Sequence, residues 1–151
     1  MTQIILREVN PGDISELAKI FDQYRVFYSK QTDVQGAVEF LTKRFEEGSS
    51  QILIAIAGNQ IVGFTQLYPT FSSLRMSKIL ILNDLFVVQD YRQLGIGSML
   101  LKVATEFAGK EGFAVLTLQT EINNTQARSV YTENGWALDT EHVYYSFVPK
   151  L

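Results

Sequence analysis

The sequence has no cysteine, which excludes a disulfide scaffold, a thiolate metal site and a cysteine nucleophile at once. It has one histidine, His142, so no histidine-rich zinc site, and no metal, is expected. Positive charge is not in excess. Thirteen basic residues against sixteen acidic ones leave a net charge of −3, so nucleic acid is not expected as a partner. The longest unbroken apolar run, residues 52–57, falls far short of the ~20 residues that cross a bilayer. The first residues lack the basic start and apolar stretch of a signal peptide. The expectation is a cytoplasmic protein without a membrane partner. What is present suits one globular domain over residues 1–151: 46% apolar, 12% aromatic and 19% charged residues, enough for one core.

No repeat, linker or low-complexity segment interrupts the chain. Residues 3–8 read as a strand broken by Pro11-Gly12, and Asp13 with Glu16 reads as a capping box opening a helix. Apolar residues at 14, 17, 18, 21, 24 and 28 make its buried stripe. Asp33 caps a second helix with apolar positions 34, 38, 41 and 45, ended by Gly48. Residues 51–57 and 60–68 flank Gly58-Asn59 as a hairpin. Residues 78–88 form the most apolar strand, expected to be buried on both faces. A helix with apolar positions 96, 100, 103, 104 and 107 follows, then a strand over 113–119, a short helix from Asn124 to Glu133, and two last strands near 136–139 and 142–148. The order β α α β β β α β α β β predicts a mixed sheet with helices on both faces, in the α/β to α+β range.

The sharpest local signal is Tyr91-Arg92-Gln93-Leu94-Gly95-Ile96-Gly97-Ser98, between the buried strand and an amphipathic helix. Glycines there let an anion approach backbone N–H groups at the positive end of the helix, a pyrophosphate site. A dinucleotide fingerprint needs a third glycine where Leu100 stands, and a Walker loop needs a Gly-Lys-Ser/Thr that is absent. A tight strand–helix connection fits the two glycines equally well.

Three blocks together resemble the GNAT superfamily of N-acetyltransferases. Arg92 to Gly97 matches that family's Arg/Gln-x-x-Gly-x-Gly/Ala loop. Asn83-Asp84-Leu85-Phe86-Val87 resembles its central strand. Asn124-Thr125-Gln126-Ala127-Arg128-Ser129-Val130-Tyr131-Thr132-Glu133-Asn134-Gly135-Trp136 is similar to its Asn-x-x-Ala-x-x-x-Tyr-x-x-x-Gly-Phe signature, with Trp in place of Phe. The blocks cover about residues 79–137, and within the family the chain most resembles small amine acetyltransferases of the diamine (polyamine) type.

The resemblance implies a mostly antiparallel central sheet, acetyl-CoA as co-substrate, and a primary amine of a small molecule or peptide as acceptor, often in a homodimer. It places the backbone of Leu85, Phe86 and Val87 beside the pantetheine arm, and the N–H groups of Gln93, Leu94, Gly95, Ile96, Gly97 and Ser98, behind Arg92, at the pyrophosphate. Asn124, with Ala127 in the same motif, is implied at the pantetheine, and Tyr131 at the sulfur. The family often has Gly where this chain has Gln93. A phenol with a pKa of about 10 can hand a proton to a departing thiolate; a helix-face aromatic packed on the core is the other reading of Tyr131. A non-catalytic acyl-CoA-binding sensor is the alternative to an enzyme.

The acceptor side is read from residues that interrupt apolar segments. Asn83 and Asp84 break the most apolar strand, where neighbours face opposite sides and a buried carboxylate needs partners. Asp84 either holds a structural hydrogen bond or attracts a cationic amine and takes its proton. Glu121 is a second acidic candidate, or a solvated turn residue. Tyr24, Phe27 and Tyr28 end the first helix and either wall the acceptor site or pack in the core. His142, although its unshifted pKa lies near neutrality, reads as an ordinary strand residue.

Overall fold

The computed structural model describes residues 2–150, in two compact units that divide between Gln119 and Thr120. The first unit contains β1 (Ile4–Glu8), α1 (Ile14–Phe27), α2 (Val34–Glu47), β2 (Gln51–Ala57), β3 (Gln60–Ser72), β4 (Ser77–Val87), α3 (Ile96–Lys110) and the two-residue β5 (Leu116–Thr117). One sheet runs β1-β2-β3-β4-β5, antiparallel except between β4 and β5. Helix α3 makes the crossover that a parallel pair requires. The second unit contains α4 (Thr125–Glu133).

Strand alternation divides the core. Ile52, Ile54, Phe64 and Phe86 pack with Leu17 and Phe21 of α1 and Leu41 of α2, while Ala55, Ala57, Val62, Leu85 and Val87 pack with Ile96 and Leu100 of α3. Helices therefore cover both faces of a mostly antiparallel sheet, the class expected from the element order. The Gly58-Asn59 hairpin forms as expected, with Gly58 at φ 62°. Asp33 caps α2 by accepting the Gly36 N–H at 2.9 Å, and Gly48 ends that helix in the left-handed region.

Several local expectations are corrected. The Asp13–Glu16 capping box does not form. Asp13 accepts the Asn10 N–H at 2.8 Å and both guanidinium nitrogens of Arg7 at 2.7 and 2.9 Å. Glu16 instead accepts the Ile61 N–H at 2.9 Å, tying α1 to β3. The buried stripe of α2 runs through Ala37, Val38 and Leu41, whereas the expected Val34 and Phe45 are exposed. One expectation holds: β4 buries residues on both faces, Leu80 and Leu82 on the face of Leu67, and, past the extra residue Asn83, Asp84 and Phe86 on the opposite face with Gln66 and Phe64, while Asn83 itself is exposed. The strand expected over 113–119 contracts to Leu116–Thr117. The two strands expected near 136–139 and 142–148 do not form; Val143, Tyr144, Tyr145 and Phe147 are exposed. Alternating apolar residues mark a face, but a strand also needs a neighbouring backbone to pair with, and none of residues 136–148 enters a ladder.

Candidate active site

The site begins at a defect in the β3–β4 ladder. Gln66 pairs with Asp84 and Leu67 with Leu82, so Asn83 is an extra residue in β4. Such a bulge bends a strand and re-aims its side chains. Past it, Leu85, Phe86 and Val87 stay paired with Thr65, Phe64 and Gly63. β5 meets β4 only at Leu80↔Leu116 and Ile81↔Thr117. Among the described residues no strand therefore lies along the other edge of residues 82–87, and that edge can accept an extended ligand as an added strand.

Asp84 is 4% exposed. Its carboxylate accepts Gln66 Nε2 at 2.6 Å and Asn83 Nδ2 at 2.8 Å, and the Tyr24 hydroxyl also donates to it. Burial nonetheless dominates and raises its pKa above the usual carboxylate value, the three hydrogen bonds opposing the rise. Burial, and then the charge of Asp84, raises the Tyr24 phenol in turn, and burial pushes Tyr68 up to about 12. Behind Asp84 the chain of polar groups continues, the Ser50 hydroxyl donating to Gln66 Oε1 at 2.9 Å.

Asp84 opens onto a cleft of about 460 Å³ between α1 and α2, walled by Phe21, Tyr24, Tyr28 and Phe40 with Arg25, Lys30 and Asp33 also on its lining. Its size suits a small molecule. Tyr24 stacks on Phe86 at 6.0 Å and meets Tyr28 edge-on at 5.2 Å. Of the three aromatics ending α1, Tyr24 and Tyr28 thus line the cleft. Phe27 instead lies under the Arg92 guanidinium at 5.4 Å. Gln66 was missed in the sequence, although Thr65-Gln66 interrupts an apolar strand just as Asn83-Asp84 does. Phe40, Arg25 and Lys30 carried no signal there, because a cleft between two helices depends on how the helices meet.

The glycine loop follows β4. Arg92 donates to the Val87 carbonyl at 2.8 Å and lies 5.2 Å from the Phe86 ring centroid, so it fastens the turn after the strand. Gln93 takes φ 63° and Gly95 φ 81°. Leu94 is exposed and Ile96 buried, leaving backbone N–H groups as what these positions can offer a ligand. A Cβ on Gly97 would meet no atom within 4 Å, so the fold does not require this glycine and the helix start has room for a bulky anion. Ser98 lies in that first turn of α3. The open β4 edge and this uncrowded helix start fit the pantetheine and pyrophosphate of acetyl-CoA.

In the second unit, Asn124 caps α4, its Oδ1 accepting the Ala127 N–H at 3.2 Å. Tyr131 is half-buried, 6.3 Å from the Trp136 ring, and its carbonyl accepts the Trp136 N–H at 3.0 Å. Glu121 is exposed in the turn before α4. His142 is exposed rather than in a strand, with Nδ1 2.9 Å from Asp139 Oδ2. Among the described residues no helix is long and apolar enough to cross a membrane, and no group of three or more acidic or histidine side chains is placed to hold a metal ion.

Known proteins resemble this chain in sequence and in fold. Residues 16–136 match the acetyltransferase (GNAT) family. The chain is 49% identical over 140 residues to the uncharacterized N-acetyltransferase YhfO of Bacillus subtilis, covering 93% of this chain and 94% of that protein. The crystal structure of a probable acetyltransferase superposes with a TM-score of 0.90 at 30% identity, covering 98% of each chain. An aminoglycoside N-acetyltransferase in complex with CoA shares the fold at a TM-score of 0.81 and 16% identity, over 97% of this chain and 96% of that one. The match over residues 16–136 and the likeness to YhfO along nearly the whole chain make it a member of the acetyltransferase (GNAT) family, an N-acetyltransferase with acetyl-CoA as its co-substrate.

Proposed function

We propose that the chain moves the acetyl group of acetyl-CoA directly to a primary amine of a small molecule or peptide in a ternary complex, without a covalent enzyme intermediate. The observation that carries this reading is Asp84. A buried carboxylate with a raised pKa, opening onto an aromatic cleft, sits on the strand whose far edge is open.

Acetyl-CoA supplies a thioester-activated acetyl group. In this reading the backbone of Leu85, Phe86 and Val87 aligns its extended arm, and the N–H groups from Gln93 to Ser98 hold its phosphates. Asn124, beyond its capping bond, and Ala127 steady the arm. Tyr131 Oη holds the proton that the departing sulfur requires. Asp84, with Asn83 beside it, attracts the ammonium and takes the proton that makes the nitrogen nucleophilic, while Tyr24 and Tyr28 exclude water. Most of the rate gain then comes from positioning two reactants. We read both units as parts of one acetyltransferase domain working in the cytoplasm. A homodimer belongs to the same reading, supported by the exposed Val143, Tyr144, Tyr145 and Phe147 and tested by light scattering.

The test is CoA release from acetyl-CoA across a panel of primary amines. Amine-stimulated release with formation of the N-acetylated product is expected. Tight binding of acetyl-CoA with no stimulated release by any amine would make the chain a CoA-binding module.

A further inference from the structure

The cleft is charged at two places of opposite sign. Asp84 supplies a buried negative group. Arg25 and Lys30 bring two positive groups to the same lining, from the end of α1 and the turn that follows it. That turn is built rather than loose. Buried Asp22 accepts the Thr32 hydroxyl at 2.6 Å and the Asp33 N–H at 2.7 Å. The Lys30 N–H donates to the Arg25 carbonyl at 3.0 Å, and Arg25 Nη1 donates to the Gln31 carbonyl at 3.1 Å. Ser29 is held at φ 66°, a conformation that costs a non-glycine residue energy and persists only where its surroundings enforce it. The backbone carrying Lys30 is thus fixed against the cleft.

The other charges on the lining are already engaged. Asp33 caps α2 through the Gly36 N–H at 2.9 Å, where the helix N-terminus offsets its charge. Arg25 stands 4.0 Å from Asp22. Lys30 is exposed and, among the described residues of the lining, remains the cation available to a ligand. Between the two poles lie Phe21, Tyr24, Tyr28 and Phe40, a wall that suits a flat or apolar body.

We propose, building on the acetyltransferase reading above, that the acceptor is an amphoteric amine. It has a primary amine at one end of an apolar or aromatic body and a carboxylate at the other, bound with the amine toward Asp84 and the carboxylate at Lys30. A diamine of the same length would set its second cation against Lys30, and a like-charge contact of this kind is how a site rejects a competitor. This departs from the polyamine-type acceptor suggested by the sequence resemblance.

Three probes with one scaffold test it: 4-(aminomethyl)benzoate, benzylamine and 1,4-bis(aminomethyl)benzene. Each is measured with acetyl-CoA for kcat/KM, and by calorimetry for binding to the CoA-loaded protein, on the full chain and on its Lys30→Ala and Lys30→Glu variants. The expected order is carboxylate, then neutral amine, then diamine, with the carboxylate ahead of the neutral probe by about tenfold. Lys30→Ala should remove most of that advantage, and Lys30→Glu should put the diamine first. Acetylation of all three probes with the diamine or benzylamine at least equal to the carboxylate overturns the amphoteric acceptor and leaves acetyl transfer standing. So does a Lys30→Glu variant, folded by circular dichroism, whose ratios stay within about twofold of wild type. If no probe is acetylated but the binding order holds and inverts in Lys30→Glu, the cleft assignment stands and the transfer reading fails. Neither binding nor turnover of any probe overturns both.

Discussion

Gln66 Nε2 donates to Asp84 Oδ2 at 2.6 Å across the β3–β4 ladder, beside the bulge at Asn83, with 0% and 4% of the two residues exposed. Ser50 fixes the amide from the other side, so Gln66 presents its donor, and not its carbonyl, to the carboxylate. The pair is buried at the floor of the cleft, so its energetics reach both stability and activity.

Burial raises the Asp84 pKa, so the folded state favours the protonated acid, and this group's contribution to stability falls as pH rises from the ordinary carboxylate range through its folded value. Gln66→Leu removes a donor that eases ionisation. It is expected to cost about 1–3 kcal/mol, more at neutral than at acid pH, and to move the acid limb of the kcat/KM profile to higher pH. Thermal melts at both pH values and a pH–rate profile check this; a limb that moves to lower pH contradicts the role of the pair.

Asp84→Asn should lower amine kcat/KM by at least about a hundredfold, abolish the acid limb and spare acetyl-CoA affinity. If Asp84 only holds the strands together, the melting temperature drops instead and kinetics per folded molecule stay near normal. Parallel kinetics, calorimetry and melting separate the two patterns.

A Cβ at position 97 meets no atom within 4 Å beyond its own stretch of helix, so Gly97→Val should leave the circular dichroism spectrum intact. Its side chain would stand where the phosphates are assigned, so acetyl-CoA affinity is expected to fall at least tenfold, about 1.4 kcal/mol. Undiminished binding by calorimetry removes the helix start from the cofactor site.

Gln93 occupies the left-handed region at φ 63°, which costs an ordinary residue roughly 1–2 kcal/mol. Gly at this position relieves that cost but enlarges the unfolded ensemble, for a net gain of about 0.5–1 kcal/mol and a melting temperature higher by about 1–4 °C. A lower melting temperature would show that the Gln93 side chain itself supports the loop.

Tyr131→Phe keeps the ring beside Trp136 and removes the phenol proton. Because that proton is assigned to the transition state, kcat should fall by roughly 10²–10⁴-fold with acetyl-CoA affinity and stability nearly unchanged. A kcat within about threefold of wild type, where chemistry limits turnover, returns Tyr131 to a packing role.

Much was legible in the sequence because it rests on local physics. The cap at Asp33, the start of a helix at Asn124, the Gly58-Asn59 turn and the Gly95–Gly97 helix start each depend on residues a few positions apart. The three motif blocks likewise identified the family. Elsewhere the deciding partner lay far along the chain. Glu16 caps nothing because Ile61, forty-five residues away, offers an N–H. Asp84 acquires its environment from Gln66 across a bulge and from Tyr24 on a helix. The cleft that joins Asp84 to Lys30 exists only where α1 and α2 cross the sheet. The aromatic run at 143–147 shows the limit from the other side: its pattern is that of a strand, yet pairing needs a second backbone, which a sequence pattern does not supply. Periodicity and capping are properties of one segment, and the sequence by itself determined them; burial, register and the meeting of charges belong to pairs of segments, and only the tertiary structure decided those.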